Sequence, residues 1–160
     1  MPIIIAVCIL LVVITTLVHY ETLTILSFRL PGMRIASRLK LVVVVLAAFA
    51  AHVVEIALYA AAAWASIRWL GIGDLSGAGG ASLVNSLYFS AETFTSLGFG
   101  DLVPSGPLRL LAGVETLNGL LLIGWSASYT YLSMERFWDL DQAAGAPKPQ
   151  ARKVPGSTNA

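Results

Sequence analysis

The feature that most constrains this chain is its series of long apolar runs. Three of them, from about Pro2 to Phe28, Leu41 to Leu70 and Leu108 to Ser133, are each long enough to cross a bilayer as a helix, which takes roughly 20 residues. With 57% hydrophobic and only 12% charged residues, the chain lacks the polar surface that a soluble domain of this length needs. The sequence therefore predicts an all-α membrane protein with three transmembrane helices in a lipid bilayer.

The first apolar run is also compatible with a signal peptide. It lacks a basic segment at its start, however, and no Ala-x-Ala cleavage site closes it. We therefore interpret residues 1–28 as a retained helix. The single cysteine, Cys8, excludes an intrachain disulfide framework. The basic residues lie in loops and tails, so a nucleic-acid partner is not expected.

A shorter apolar segment lies between the second and third runs. Residues 83–94 show helical spacing of apolar side chains, and glycines close the segment after it. Since residues 82–106 are too few for two complete crossings, we predict a re-entrant pore helix over 83–94 and extended backbone over 95–101. Non-helical backbone at that depth needs protein or a water-filled pore around it. The chain has one such loop and no internal repeat, so a homotetramer around a single axis is expected.

Basic residues predict the orientation of the chain in a cell (inner) membrane. Residues 29–40, between the first two spans, contain four basic residues, and residues 134–160 contain four more. The positive-inside rule places both segments in the cytoplasm and the N-terminus outside. The C-terminal segment is expected to begin with an interfacial anchor at Trp138 and to be disordered beyond Asp141.

The backbone of the re-entrant loop is the predicted ion path. Its proposed ion-binding residues are Thr95, Ser96, Leu97, Gly98, Phe99 and Gly100. Rings of backbone carbonyls can replace the hydration shell of a potassium ion. In an ordinary strand the carbonyls alternate in direction, whereas alternating right- and left-handed conformations turn them to one side. Glycine accepts the left-handed conformation without steric cost, and Gly98 and Gly100 are spaced as this requires.

This segment resembles a known filter. Residues 96–100, Ser-Leu-Gly-Phe-Gly, are similar to the potassium-channel sequence TVGYG. The wider stretch 90–104 resembles the pore helix and filter of two-helix bacterial potassium channels, and the resemblance extends over roughly residues 41–133. The first helix has no counterpart in those channels. The resemblance implies bound K⁺ ions, passive K⁺ conduction, no organic cofactor and no enzymatic step.

The resemblance also implies roles for residues around the filter. Glu92 and Asp101 match a carboxylate pair behind the filter, in which one proton is shared because two close carboxylates do not both ionise cheaply. The alternative for Glu92 is that it only caps local backbone amides. Gly119 matches a hinge in the inner helix, although a small residue there equally favours close helix packing. The implied pore-lining residues are Leu120, Ile123, Ala127 and Tyr131.

Ionisable residues inside membrane spans are functional candidates by default. Glu115 lies off the implied pore-lining stripe, so we expect it to support the filter by holding the pore helix rather than to attract cations. His52 and Glu55 share one face of the second helix. We expect them to form a polar cluster with His19 of the first helix, at the periphery of the tetramer. Both a structural role and a pH-sensing role are open for this cluster.

Two alternative functions also remain open. One is a weakly selective cation channel that conducts Na⁺ as well as K⁺, and the other is a non-conducting membrane subunit. An intramembrane hydrolase is excluded because the sequence has no Gly-x-Ser-x-Gly nucleophile motif. A voltage sensor of the usual type is not expected, since no helix carries arginine at every third position.

Overall fold

The computed structural model describes residues 1–145, with side chains as far as Trp138. The elements in chain order are α1 (Pro2–Arg29), α2 (Ser37–Arg68), β1 (Asp74–Gly77), α3 (Leu83–Phe94), β2 (Leu102–Ser105) and α4 (Leu108–Gly145). Within the described residues, α1, α2 and the Leu108–Trp138 part of α4 are long and apolar enough to cross a membrane. The prediction of a mainly helical membrane protein with three spans is confirmed.

The three long helices pack against one another as a bundle. Later residues of α1 contact later residues of α4, so these two helices run parallel. Helix α2 runs antiparallel to both. One apolar cluster fills the end of the bundle near the start of α4, and a second fills the opposite end. The second cluster contains Leu23, Leu26, Leu30, Val44 and Phe137. These apolar contacts at both ends fix the relative tilt of the helices.

The two sides of α4 differ in burial. The side that packs on the bundle carries Leu111, Glu115 and Leu122, all nearly fully buried. The opposite side, about half a turn away at 3.6 residues per turn, is exposed in the isolated subunit. All four residues that the resemblance places along the pore lie on this exposed side: Leu120, Ile123, Ala127 and Tyr131. The bundle therefore leaves the implied pore face of α4 free.

A short antiparallel strand pair closes the re-entrant segment. β1 lies in the glycine-rich stretch 71–80, and it pairs with β2 directly after the filter. Asp74 lies opposite Ser105, and Gly77 lies opposite Leu102. The strand pair was not predicted, because β1 has the sequence Asp-Leu-Ser-Gly, and its single apolar side chain gives no periodic apolar signal. It holds the chain before α3 against the chain after the filter.

Helix boundaries differ from the expectation at two places. α2 begins at Ser37 and ends at Arg68, so part of the predicted basic loop is helical. α4 continues through Gly145, past the expected end at Ser133. No proline or glycine interrupts residues 134–144, and good helix formers dominate there, so nothing stops the helix. Residues 142–145 are therefore helical and not part of a disordered tail, while residues 146–160 lie outside the described part of the chain.

Deleting residues 1–28 tests the place of α1 in the subunit. α1 contacts α2 and the bundle side of α4, and its Thr15 and His19 side chains are fully buried there. The deletion leaves the polar partners of these side chains facing lipid, which is costly. We expect weaker assembly in size-exclusion chromatography or altered gating, with unchanged ion selectivity in reversal-potential measurements. A truncated channel that assembles and gates normally but loses selectivity would contradict this position of α1.

Candidate ion-conduction site

Helix α3 leads directly into the candidate filter, and hydrogen bonds hold its start and its buried face. The Ser82 hydroxyl accepts a hydrogen bond from the Asn85 N–H at 3.1 Å, which caps the helix. On the face that packs on α2, the Ser90 hydroxyl donates to the carbonyl of Ile56 at 2.8 Å. Phe94, fully buried, ends the helix against the bundle. The C-terminal end of α3 is therefore held in a fixed position.

Every second residue from Ser96 to Gly100, in the segment that follows α3, has left-handed backbone. Ser96, Gly98 and Gly100 have φ values of 61°, 55° and 79°. The two glycines take the conformation that the sequence predicted. Ser96 takes it as well, although a side chain in this region costs roughly 1–2 kcal/mol. The alternation therefore begins one step earlier than glycine spacing alone indicates.

Three consecutive N–H groups of this segment converge on Glu92. The N–H groups of Leu97 and Gly98 donate to the Glu92 carbonyl at 2.8 and 3.3 Å, and the Phe99 N–H donates to the Glu92 carboxylate at 3.0 Å. All peptide bonds in the described residues are trans, so each carbonyl points opposite to the N–H of its own peptide unit. The carbonyls of Ser96, Leu97 and Gly98 therefore point away from α3.

These carbonyls and the side chains beside them have no cover within the subunit. Residues 95–101 are exposed throughout, with Leu97 at 59% and Phe99 at 67%. Among the described residues, no hydrogen bond ends on the carbonyls of Ser96, Leu97 or Gly98. Irregular backbone of this kind does not face lipid. The segment is therefore complete only with more protein on its flanks and a polar medium in front of it.

The expected pairing of Glu92 with Asp101 is not what the structure shows. Glu92 bonds to the Phe99 N–H, while an Asp101 carboxylate oxygen accepts a hydrogen bond from the Tyr88 hydroxyl at 3.3 Å. The two carboxylates thus serve different groups, because the donors nearest to each satisfy it separately. The Tyr88 ring also stacks on the Phe99 ring, with centroids 6.5 Å apart. No role was predicted for Tyr88, although it lies four residues before Glu92 on the same face of α3.

Glu115 lies at the contact between α4 and α3, away from the exposed side of α4. Its carboxyl group is hydrogen bonded to the Ser90 hydroxyl, which also bonds to the Ile56 carbonyl. The Ser90 hydroxyl is the donor to both acceptors, so a single side chain of α3 serves α4 and α2. This arrangement joins α2, α3 and α4. It places Glu115 where a residue that holds the pore helix must be.

Gly119 is the point of closest approach between α4 and α3. A Cβ atom at this position would collide with the carbonyl oxygen of Phe94, and α4 continues as a regular helix through it. The Thr116 hydroxyl, one turn earlier, donates to the carbonyl of Thr93 at 3.1 Å. Of the two expected roles, close packing therefore has direct support, and the hinge role stays a prediction.

The structure brings together the three residues expected to form an intramembrane polar cluster. Glu55 bonds to both His19 and His52, and Ser126 of α4 completes the group. A second polar group on the same three helices was missed: the Asn118 amide donates to the hydroxyls of Thr15 and Tyr59 at 2.7 and 3.2 Å. A lone asparagine in an apolar span is itself a signal that the sequence offered.

Three helices able to cross a membrane, a re-entrant helix and an exposed loop whose carbonyls point outward form the arrangement expected of an ion channel. Comparison with known proteins agrees. The profile of an ion channel family matches residues 39–135, which is more than half of the chain. The chain belongs to this ion channel family, and it is accordingly a channel protein and not an enzyme.

Two curated relatives resemble parts of the chain. The inward rectifier potassium channel Kirbac3.1 of Paramagnetospirillum magnetotacticum is 33% identical over 73 residues, which are 44% of this chain and 25% of that protein. Two-pore potassium channel 1 of Arabidopsis thaliana is 43% identical over 52 residues, 32% of this chain and 14% of that protein. The chain thus spans a quarter or less of the length of these relatives. No solved structure matches it.

Gly119→Ala tests the contact between α4 and α3. The added methyl group pushes the end of α3 away, so we expect a less stable assembled channel and loss of conduction. The matched control is Gly124→Ala, because a Cβ atom there meets nothing within 4 Å in the subunit. Thermal stability by fluorescence-detected size exclusion, with ion flux, compares the two. Equal behaviour of the two variants would contradict the packing role.

Glu92→Ala tests the bond behind the filter. Removing the carboxylate leaves the Phe99 N–H without a partner, so the variant should differ from the wild type in how long it stays conducting. Glu92→Gln is the control, since an amide oxygen still accepts from this N–H. Single-channel recording measures the duration of conducting periods. A variant that becomes Na⁺-permeable with unchanged kinetics would show that Glu92 has another role.

Proposed function

We propose that the chain forms a homotetrameric channel that conducts K⁺ passively down its electrochemical gradient. The observation that carries this proposal is the row of carbonyls on Ser96, Leu97 and Gly98. Hydrogen bonds from the following N–H groups to Glu92 hold these carbonyls away from α3. Four such rows around one axis give stacked rings of oxygen, which can replace the hydration shell of K⁺.

The ligands in this row are typical of a K⁺ site and not of a site that attracts ions with charged side chains. The carboxylates of Glu92 and Asp101 are occupied by Phe99 and Tyr88 behind and above the row, so the ligands offered to the ion are neutral backbone oxygens. Neutral carbonyl rings are the ligands used by potassium channels. The potassium channels named above as relatives support the same choice. We assign K⁺ binding to residues 95–100 and filter support to Glu92, Asp101 and Glu115.

The remainder of the ion path follows from α4. Its exposed side is the surface that each subunit turns to the shared axis, below the filter. Leu120, Ile123, Ala127 and Tyr131 then line the inner cavity, and Gly119 sits where that cavity meets α3. We further propose that the filter opens to the outside of the cell membrane. The basic residues of the α1–α2 connection then lie in the cytoplasm, as does the end of α4.

The decisive experiment is ion flux through purified protein reconstituted in liposomes. We expect a K⁺ flux and, under mixed K⁺ and Na⁺, a reversal potential near that of K⁺. A reversal potential between the two would assign a weakly selective cation channel. Absence of flux from correctly assembled protein would assign a non-conducting subunit.

Gly98→Ala tests the filter itself. A methyl group at a left-handed position costs roughly 1–2 kcal/mol in each subunit, so the carbonyl row should be disrupted and K⁺ flux lost while membrane insertion persists. Gly71→Ala is the matched control. Gly71 has φ of 62° against 55° for Gly98, and a Cβ atom at either position meets nothing within 4 Å in the subunit. Normal flux from Gly98→Ala would overturn the filter assignment.

A further inference from the structure

Four side chains from α1, α2 and α4 form a closed ring of hydrogen bonds. Glu55 bonds through one oxygen to His19 Nδ1 at 3.0 Å and through the other to His52 Nδ1 at 2.8 Å. The second nitrogens of both imidazoles bond to the Ser126 hydroxyl, at 3.3 Å from His19 and 3.1 Å from His52. His19 and Glu55 are fully buried, and the His52 side chain is 17% exposed.

The number of hydrogen bonds in the ring determines how many protons it needs. Its four hydrogen bonds need four protons, one between each pair of atoms. The Ser126 hydroxyl supplies one, and two neutral imidazoles supply one each. One bond therefore lacks a proton unless the ring binds an extra one, on an imidazole or on Glu55. With that proton the ring has no net charge. Without it, the ring is a buried anion in which two acceptor atoms face each other.

We propose that His19, His52, Glu55 and Ser126 form a proton-binding site that latches α4 to α1 and α2. The bound proton closes the ring, and its loss as the pH rises opens one of the four bonds. The site lies among spans that are long enough to cross a membrane, where an uncompensated charge is costly. The closed, neutral ring is therefore the stable state, and removing its proton weakens the junction of the three helices.

Few other polar groups reach the two imidazoles. Aromatic rings also pack against them: the imidazoles stack on each other at 5.2 Å, Trp125 of α4 lies 5.3 Å from His19, and Phe94 of α3 lies 5.7 Å from His52. In residues 1–138, Glu55 is the only charged side chain paired with either imidazole. No second charged group therefore substitutes for the proton.

The other titratable groups near this junction have partners of their own. Tyr20 of α1 contacts Trp125, with the two tilted rings 6.4 Å apart between centroids. Tyr59 of α2 is bonded to Asn118, and Glu115 of α4 is bonded to Ser90. None of these groups is hydrogen bonded to a member of the ring. The hydrogen bonds of the ring are thus made by its own four members.

A divalent metal ion fits these residues less well than a proton. Two imidazoles and a carboxylate are suitable ligands for such an ion, and their ligand atoms lie within 4.8 Å of one another. With neutral imidazoles, however, a divalent ion and one carboxylate leave a net positive charge buried in the bundle. Both nitrogens of each imidazole are also already hydrogen bonded within the ring. A proton satisfies every contact and leaves no charge.

The latch is linked to conduction through α4. Ser126 lies next to Ala127, which the proposed function places on the pore-facing side of the same helix. When the opened bond is one of the two that Ser126 makes, this part of α4 is freer to move relative to α1 and α2, which changes the width of the inner cavity. This consequence depends on α4 lining the pore, whereas proton binding by the ring does not.

Glu55→Gln is the informative variant, because it closes the ring without an extra proton. The amide N–H donates to one imidazole, and the amide oxygen accepts from the other. Each imidazole then completes the ring through Ser126 in its neutral form. All four hydrogen bonds are kept, so this variant should fold and assemble. It should behave at every alkaline pH as the wild type does with its proton bound.

Proton occupancy can be counted directly, since these are the two histidines of the whole chain. We would record ¹⁵N-histidine spectra and infrared carboxyl bands of the full-length protein in bilayers, with Glu55→Gln assigning the Glu55 band. Near neutral pH we expect three protons in total on Glu55 and the two imidazoles, falling to two as the pH rises. A total of two that does not change with pH would overturn the site, whether or not the protein conducts.

Single-channel recording then tests the latch, with symmetric pH and a chelator present. In the wild type we expect the ratio of open to closed time to change by about tenfold or more on the alkaline side, as one charged hydrogen bond per subunit is lost. Glu55→Gln should lack this transition, and Ser126→Ala should lose the coupling. The control Ser128→Ala, whose hydroxyl bonds within α4 to Gly124, should retain it. A transition kept in Glu55→Gln, or abolished by the chelator, would overturn the latch.

Discussion

A backbone carbonyl at membrane depth must have a polar partner, because lipid offers none. In the helices, the carbonyls accept hydrogen bonds from N–H groups of the same helix. The carbonyls of the candidate filter have no such partners within the described residues. Its N–H groups are taken up by Glu92, which leaves the carbonyls of Ser96, Leu97 and Gly98 directed out of the subunit. The rest of the fold serves this one segment. The capped helix α3 positions it, and the pairing of β1 with β2 closes it.

Polar contacts between helices determine how α1 joins the pore-forming part. Thr15 meets Asn118 and His19 meets Ser126, at two levels of the same parallel helix pair. Apolar side chains tolerate small sliding of one helix along another, whereas buried polar groups lose their partners when the helices slide. These contacts therefore specify the register of α1 on α4. They also explain why a helix outside the matched family region is an integral part of the bundle.

The sequence predicted the large features of this fold because they depend on local composition. Three apolar runs gave the spans, and the residues of α3 were identified from helical spacing followed by glycines. The expected convergence of His19, His52 and Glu55 followed from antiparallel packing of two neighbouring helices. The features that sequence reasoning missed depend on tertiary contacts. Which donors reach Glu92 and Asp101, and which hydroxyl of α4 completes the ring, is decided only when the helices are packed.

The length of α4 has a mechanical consequence. Its 38 residues extend for roughly 57 Å at 1.5 Å per residue, against a hydrocarbon core of about 30 Å. The same helix touches α3 through Gly119 in its first third, so most of its length projects beyond that contact. With Gly119 as the fulcrum, the projecting part is the long arm of a lever. A small force applied there, far from the contact with α3, exerts a large torque on the helix that we propose lines the pore.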